Sequence, residues 1–158
     1  MNNKVILIGY GNPGRLDDGL GPALAAKVEA RSIDGLAVES DYQLVVEHAH
    51  EIAKYDVAIF ADAALRGDSP FTFGEILPAQ QTSFTSHSLS PETVFFLAKT
   101  MFGAKTKCYL LGIRGYEFDG FGERLSETAK KNLELAFEFV EDGMGGILDA
   151  SITAKISV

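Results

Sequence analysis

Residues 5–21 read Val-Ile-Leu-Ile-Gly-Tyr-Gly-Asn-Pro-Gly-Arg-Leu-Asp-Asp-Gly-Leu-Gly. The apolar run Val5–Ile8 closes on glycine, the pattern of a buried strand. Two adjacent carboxylates, Asp17 and Asp18, stand just before a segment in which Leu20, Leu24 and Val28 recur at helical spacing. Pro22 suits the first turn of that helix. Glycine-rich turns between a first strand and a helix commonly hold phosphate. Here the turn carries negative charge where phosphate would sit, which points toward a cation or a polar peptide as the ligand.

The same periodicities extend along the chain. Leu36–Glu39 reads as a second strand, and Val45, Ala49, Ile52 and Ala53 mark a short amphipathic helix. Val57–Ala61 is a third buried strand that ends at Asp62, and Phe71–Leu77 alternates weakly, as an edge strand does. Ser90-Pro91-Glu92 opens a helix with a cap, a proline and an acid. Its stripe is Val94, Leu97, Ala98 and Met101, and Gly103 ends it. Tyr109–Ile113 is a fifth buried strand. Ser126 caps a last helix with the stripe Leu133, Ala136, Phe137 and Val140, broken by Gly143, Gly145 and Gly146. Strands that are apolar on both faces and alternate with helices predict a three-layer α/β/α sandwich on a five-stranded, mostly parallel sheet. The expectation is a single domain over residues 1–158, with about 147–158 as a C-terminal tail.

Bulk composition narrows the function. A chain of 158 residues that is 46% hydrophobic can bury one sizeable core. A net charge of −8 argues against nucleic-acid partners, which favour basic surfaces. The one cysteine, Cys108, permits neither an internal disulfide nor a CxxC metal motif, and its apolar neighbours predict a buried strand position. Val5–Ile8 is too short for a signal peptide or a membrane span, so a cytoplasmic protein with no membrane partner is expected.

In parallel sheets, ligands bind beyond the carboxyl ends of the strands. Asp18 follows the first strand and Asp62 ends the third, so both can reach one crevice. One of Asp17 and Asp18 suffices to cap the helix, which leaves the other available; the helix dipole favours a negative charge there. An acid at the end of a hydrophobic strand serves as a ligand-facing residue or as a turn residue, since burying it unpaired is costly. His87 lies in a polar loop before a helix; one imidazole with two carboxylates suits a borderline cation such as nickel or zinc. His48 and His50, two apart on a helix, point to nearly opposite sides and cannot chelate together.

Three families share parts of this pattern. Gly9-x-Gly11-x-x-Gly14 matches the dinucleotide fingerprint, with Glu39 or Asp41 as the ribose acid. However, Arg15-Leu16-Asp17-Asp18 separates Gly14 from the helix, and its carboxylates would repel a pyrophosphate. Peptidyl-tRNA hydrolases also begin with a Gly-x-Gly-Asn-Pro-Gly turn, but need a histidine shortly after it, which this chain lacks. Along most of its length the chain resembles the nickel–iron hydrogenase maturation endopeptidases. The shared residues are Gly9-Tyr10-Gly11-Asn12, Asp17-Asp18-Gly19-Leu20-Gly21, Asp62-Ala63, Thr85-Ser86-His87, Leu111-Gly112-Ile113 and Leu125-Ser126.

The resemblance implies an endopeptidase that removes a C-terminal extension from the large-subunit precursor of a hydrogenase after nickel insertion. It implies that Asp18, Asp62 and His87 are the catalytic and nickel-contacting residues. The nickel comes with the substrate, so no permanent cofactor is expected, and other divalent cations could substitute. Asn12, Asp17 and Arg114 are candidate substrate contacts. Arg114 stands where many members have the glutamine of Gly-Ile-Gln-Pro, and could pair with a carboxylate on the precursor. The alternatives are a non-proteolytic nickel or large-subunit binding protein and a dinucleotide-binding module.

Overall fold

The first strand, β1 (Val5–Tyr10), lies between two others and is buried on both faces. The structure, a computed structural model, describes residues 4–80 and 89–149. Among these, β2 (Leu36–Asp41), β3 (Val57–Ala64), β4 (Phe71–Glu75) and β5 (Lys107–Arg114) complete a five-stranded sheet in the order β2-β1-β3-β5-β4. All neighbours are parallel except β4, which runs antiparallel to β5 at the edge. The fold is the expected three-layer sandwich. Helices α1 (Leu20–Arg31) and α4 (Glu127–Glu141) cover one face, packing Leu24, Val28, Leu133 and Phe137 against Leu7 and Ile59. On the other face, α2 (Val46–Ile52) and α3 (Pro91–Phe102) pack Ile52, Val94 and Leu97 against Ile8, Ala58 and Phe60. Both faces of the central strands must therefore be apolar, which is why those strands show no alternation in sequence.

The local signals for helix ends hold. Ser90 Oγ accepts a hydrogen bond from Thr93 N at 3.1 Å, and Gly103 closes α3 in the left-handed region at φ 61°. His48 is buried and accepts a hydrogen bond from Val45 N at Nδ1, whereas His50 lies against Phe102, so the two point apart as their spacing requires. Cys108 is buried in β5.

Two expectations about boundaries are corrected. β3 does not stop before Asp62: its ladder with β5 continues through Asp62↔Gly112, Ala63↔Ile113 and Ala64↔Arg114. Asp62 is a strand residue, held in the alternating pattern rather than in a turn. Neither Asp17 nor Asp18 caps α1, whose N-cap, Gly19, makes no side-chain capping bond. The C-terminal segment forms a short 3-10 turn at Ile147–Asp149, and the rest of the expected tail, 150–158, lies outside the described residues.

Connectivity creates the crevice. From β1 the chain passes through α1 to β2 on one side, then returns to β3 on the other side of β1. The two connections leave in opposite directions, so their loops part at the carboxyl ends of β1 and β3, where open α/β sheets bind ligands.

Candidate active site

The glycine turn after β1 is built by close approach. A Cβ on Gly21 would strike the carbonyl oxygens of Tyr10 and Ala61, so glycine there lets the first turn of α1 rest directly on β1 and β3. Gly11 adopts φ +141°, and a side chain on it would strike the Asp18 carbonyl. Asn12 Oδ1 accepts a hydrogen bond from Gly14 N at 2.8 Å, closing the turn, and Asn12 N donates to Asp18 Oδ2 at 2.8 Å. The loop's own side chains thus occupy amide groups that a phosphate would need. Both bonds, and the negative charge of Asp18, weigh against a nucleotide phosphate at this turn.

The two adjacent acids have opposite fates. Asp17 is fully buried and accepts four hydrogen bonds. Its Oδ2 takes Tyr116 N at 2.8 Å, Glu117 N at 2.9 Å and Ser126 Oγ at 2.7 Å; its Oδ1 takes Ser126 N at 2.8 Å. Ser126 Oγ in turn accepts from Ala129 N at 3.4 Å as the N-cap of α4. Burial alone would raise the pKa of Asp17, but the bonds from Glu117, Ser126 and Tyr116 together outweigh it and hold the carboxyl below the ordinary value. Asp17 ties the turn after β1 to the start of α4, and its burial corrects the expectation that it touches substrate. The chain after β5 is stitched to the same turn, with Gly122 N donating to Gly14 O at 2.8 Å and Leu16 N to Gly122 O at 3.0 Å.

Asp18, in contrast, is half-buried and, among the described residues, its carboxylate accepts a hydrogen bond from Asn12 N. Asp62 is also half-buried, with Oδ1 accepting from Ala63 N at 2.7 Å. Burial raises its pKa, a hydrogen bond from Tyr10 and the Ala63 bond oppose that rise, and the charge of Asp18 adds to it; the result is about 6. Asp18 follows β1 and Asp62 lies on the neighbouring β3, near enough for the charge of Asp18 to act on Asp62. The described residues contain no set of three His, Cys, Asp or Glu side chains poised around one metal position. His87, expected to join the two acids, lies outside the described residues.

Arg114 ends β5 at the same edge of the sheet. Its Nε donates to Gly115 O at 3.1 Å and its Nη1 to Gly67 O at 2.9 Å, and the guanidinium lies over the Tyr116 ring at 4.9 Å. No carboxylate pairs with it among the described residues. Two grooves flank the glycine turn, of about 380 Å³ beside Leu16, Pro22 and Leu125 and about 180 Å³ beside Gly11, Asp41 and Tyr42. Pro13 and Pro22 form the ridge between them.

No protein-family model matches the chain, and no curated protein matches it in sequence. Solved structures do. The maturation protease HycI of [NiFe] hydrogenase from Thermococcus kodakarensis KOD1 superposes with a TM-score of 0.71 at 22% identity, over 89% of this chain and 92% of that one. The chain has the fold of the hydrogenase maturation proteases. The hydrogenase maturating endopeptidase HybD from E. coli matches with a TM-score of 0.65 at 23% identity, over 89% of this chain and 94% of its own. The hydrogenase 2 maturation peptidase from a Thaumarchaeota archaeon gives 0.65 at 20% identity, over 90% and 98%. Within this maturation-protease fold, Asp18 and Asp62 stand at the β1–β3 crossover.

Sequence reasoning missed Tyr10 and the Asp17–Ser126 link. Strand parity could have found Tyr10, because Ile6, Ile8 and Tyr10 share a face. No local signal pairs Asp17 with a serine 109 residues away.

Proposed function

We propose that this protein is an endopeptidase that removes the C-terminal extension of a nickel–iron hydrogenase large-subunit precursor after nickel insertion. The observation that supports the reading is the fold this chain shares with the maturation proteases, with two half-buried carboxylates, Asp18 after β1 and Asp62 on the adjacent β3. Burial and the neighbouring charge of Asp18 make Asp62 costly to ionise, and a cation beside it would relieve both the desolvation and the repulsion. The cation comes with the precursor as part of the substrate, and the protein needs no resident cofactor. Asp18, Asp62 and His87 contact it, and a different divalent ion in the precursor can stand in for nickel. Asn12, with its amide beside Asp18, and Arg114, whose guanidinium pairs with no carboxylate among the described residues, contact the peptide.

The described residues supply no thiol nucleophile. Cys108 is buried in β5 and its pKa is pushed up to about 12, chiefly by burial and further by the charge of Glu75. Catalysis therefore rests on carboxylates, the histidine and the delivered metal, with the metal reporting that the precursor is loaded. A nucleic-acid or membrane partner has no place in this scheme, and the proposed location is the cytoplasm.

The intact mass of a nickel-loaded precursor, before and after incubation with the protein, tests this reading. Loss of a C-terminal fragment from the loaded form, and not from a nickel-free control, is the expected result. An unchanged mass for a loaded cognate precursor would leave a binding or nickel-carrying role and remove the protease.

A further inference from the structure

Tyr10 is the last residue of β1, and the β1–β3 register runs from Val5↔Val57 to Gly9↔Ala61. One further step along both strands sets Tyr10 beside Asp62. Strand parity places both on the same face: Ile6 and Ile8 precede Tyr10, and Ala58 and Phe60 precede Asp62, toward the α2–α3 layer. Adjacent side chains on neighbouring strands lie within reach of each other, and the Tyr10 hydroxyl and the Asp62 carboxylate interact directly across this step. The tyrosine ring packs half-buried against the α2–α3 core, so the hydroxyl is carried on an anchored lever at the rim of the crevice.

Asp62 thus faces two donor groups from two directions, one bonded to it and one beside it. Its own strand supplies Ala63 N, which fixes Oδ1, and β1 supplies the Tyr10 hydroxyl. One donor leaves the carboxylate free to swing about its terminal torsion; two donors hold its plane. We propose that Tyr10 is a positioning residue that sets the orientation in which the Asp62 carboxylate meets the metal delivered by the substrate. The inference rests on the functional reading above, in which Asp62 contacts that metal. Outer hydrogen bonds of this kind orient metal-ligating side chains and tune their affinity. A phenol is protonated at neutral pH, so the hydroxyl is available as a donor.

The Tyr10→Phe variant removes only the hydroxyl and keeps the packed ring. Its effect is read as a discrimination ratio: the dissociation constant for a metal-free large-subunit precursor divided by that for the nickel-loaded precursor. Wild type, Tyr10→Phe and Asp62→Asn are compared, with melting temperatures recorded for all three. The expected result is a ratio about tenfold lower in Tyr10→Phe, with affinity for the metal-free precursor and melting temperature unchanged, and no discrimination left in Asp62→Asn. A purely structural tyrosine would weaken both precursors equally and leave the ratio intact. If Asp62→Asn loses discrimination while Tyr10→Phe keeps the wild-type ratio, the positioning role is overturned and Asp62 stands as a metal contact. If Asp62→Asn keeps the wild-type ratio, the reading of Asp62 fails and the role of Tyr10 fails with it.

Discussion

Replacing Asp17 by asparagine should destabilise the protein far more than the same change at Asp18, although the two are neighbours with the same side chain. Asp17 Oδ2 takes three donors and Oδ1 takes one, all between 2.7 and 2.9 Å, in a fully buried position. Asparagine can place its carbonyl oxygen at the Oδ2 position, but its NH₂ then faces the Ser126 N–H, donor against donor. Three bonds lose their charge assistance, at about 1 kcal/mol each, and one buried donor is orphaned at about 1–3 kcal/mol; allowing for relaxation, the loss is about 3–5 kcal/mol. That is a large share of a total stability of about 5–15 kcal/mol, and it corresponds to a drop in melting temperature on the order of 10 °C. Asp18 is half-buried and accepts one bond among the described residues, which asparagine can also accept, so Asp18→Asn should cost less than about 1 kcal/mol. The assay is urea unfolding followed by circular dichroism, comparing midpoints at constant slope. The sign of the pH dependence follows from the lowered pKa of Asp17: its stabilisation is complete above the unfolded-state value of 3.8 and is lost as pH falls through the lower folded value. The gap between wild type and Asp17→Asn should therefore be full at pH 7 and close in strong acid. A loss below about 1 kcal/mol at pH 7 would refute the reasoning, because one orphaned buried donor and three bonds stripped of their charge assistance cannot cost that little.

Asp62 should show the opposite pH behaviour: its folded pKa, about 6, lies above the unfolded 3.8, so stability declines as pH rises between those values. Asp62→Asn should therefore melt above wild type at pH 8 and level with it near pH 4 in scanning calorimetry; equal melting at pH 8 would show that Asp62 ionises without cost. Cys108, buried and with its thiol pushed up to about 12, should resist a thiol reagent in the folded protein and react fully in denaturant, and thiol alkylation should leave precursor processing intact. Rapid labelling of the folded protein would refute the burial. Gly21→Ala should lower the urea midpoint by about 2 kcal/mol or more, since the new methyl meets the backbone carbonyls of Tyr10 and Ala61 rather than movable side chains; a neutral change would show that α1 can lift from the sheet.

Much of the fold could be read from residues close together in the chain. Runs such as Val5–Ile8 and Val57–Ala61 are apolar on both faces because helices cover both sides of a parallel sheet, and that pattern alone predicts the layers. Ser90, Gly103 and Ser126 mark helix ends through bonds that span three or four residues. Asp18 and Asp62 were recognisable because acids at the carboxyl ends of buried strands are costly without a ligand or a partner. The same local view could not tell Asp17 from Asp18. Both precede a helix, and either could have capped it; in the structure neither does. What separates them is a contact with Ser126, Tyr116 and Glu117, about a hundred residues away, which exists only because α4 packs beside α1 on one face of the sheet. Tyr10 meets Asp62 for a similar reason, since β1 and β3 become neighbours only when β2 is placed on the far side. Periodicity and capping are properties of the local backbone and can be read residue by residue. Which acid is buried as a structural link and which is left facing the crevice depends on strand order and helix packing, and only the tertiary structure decides them.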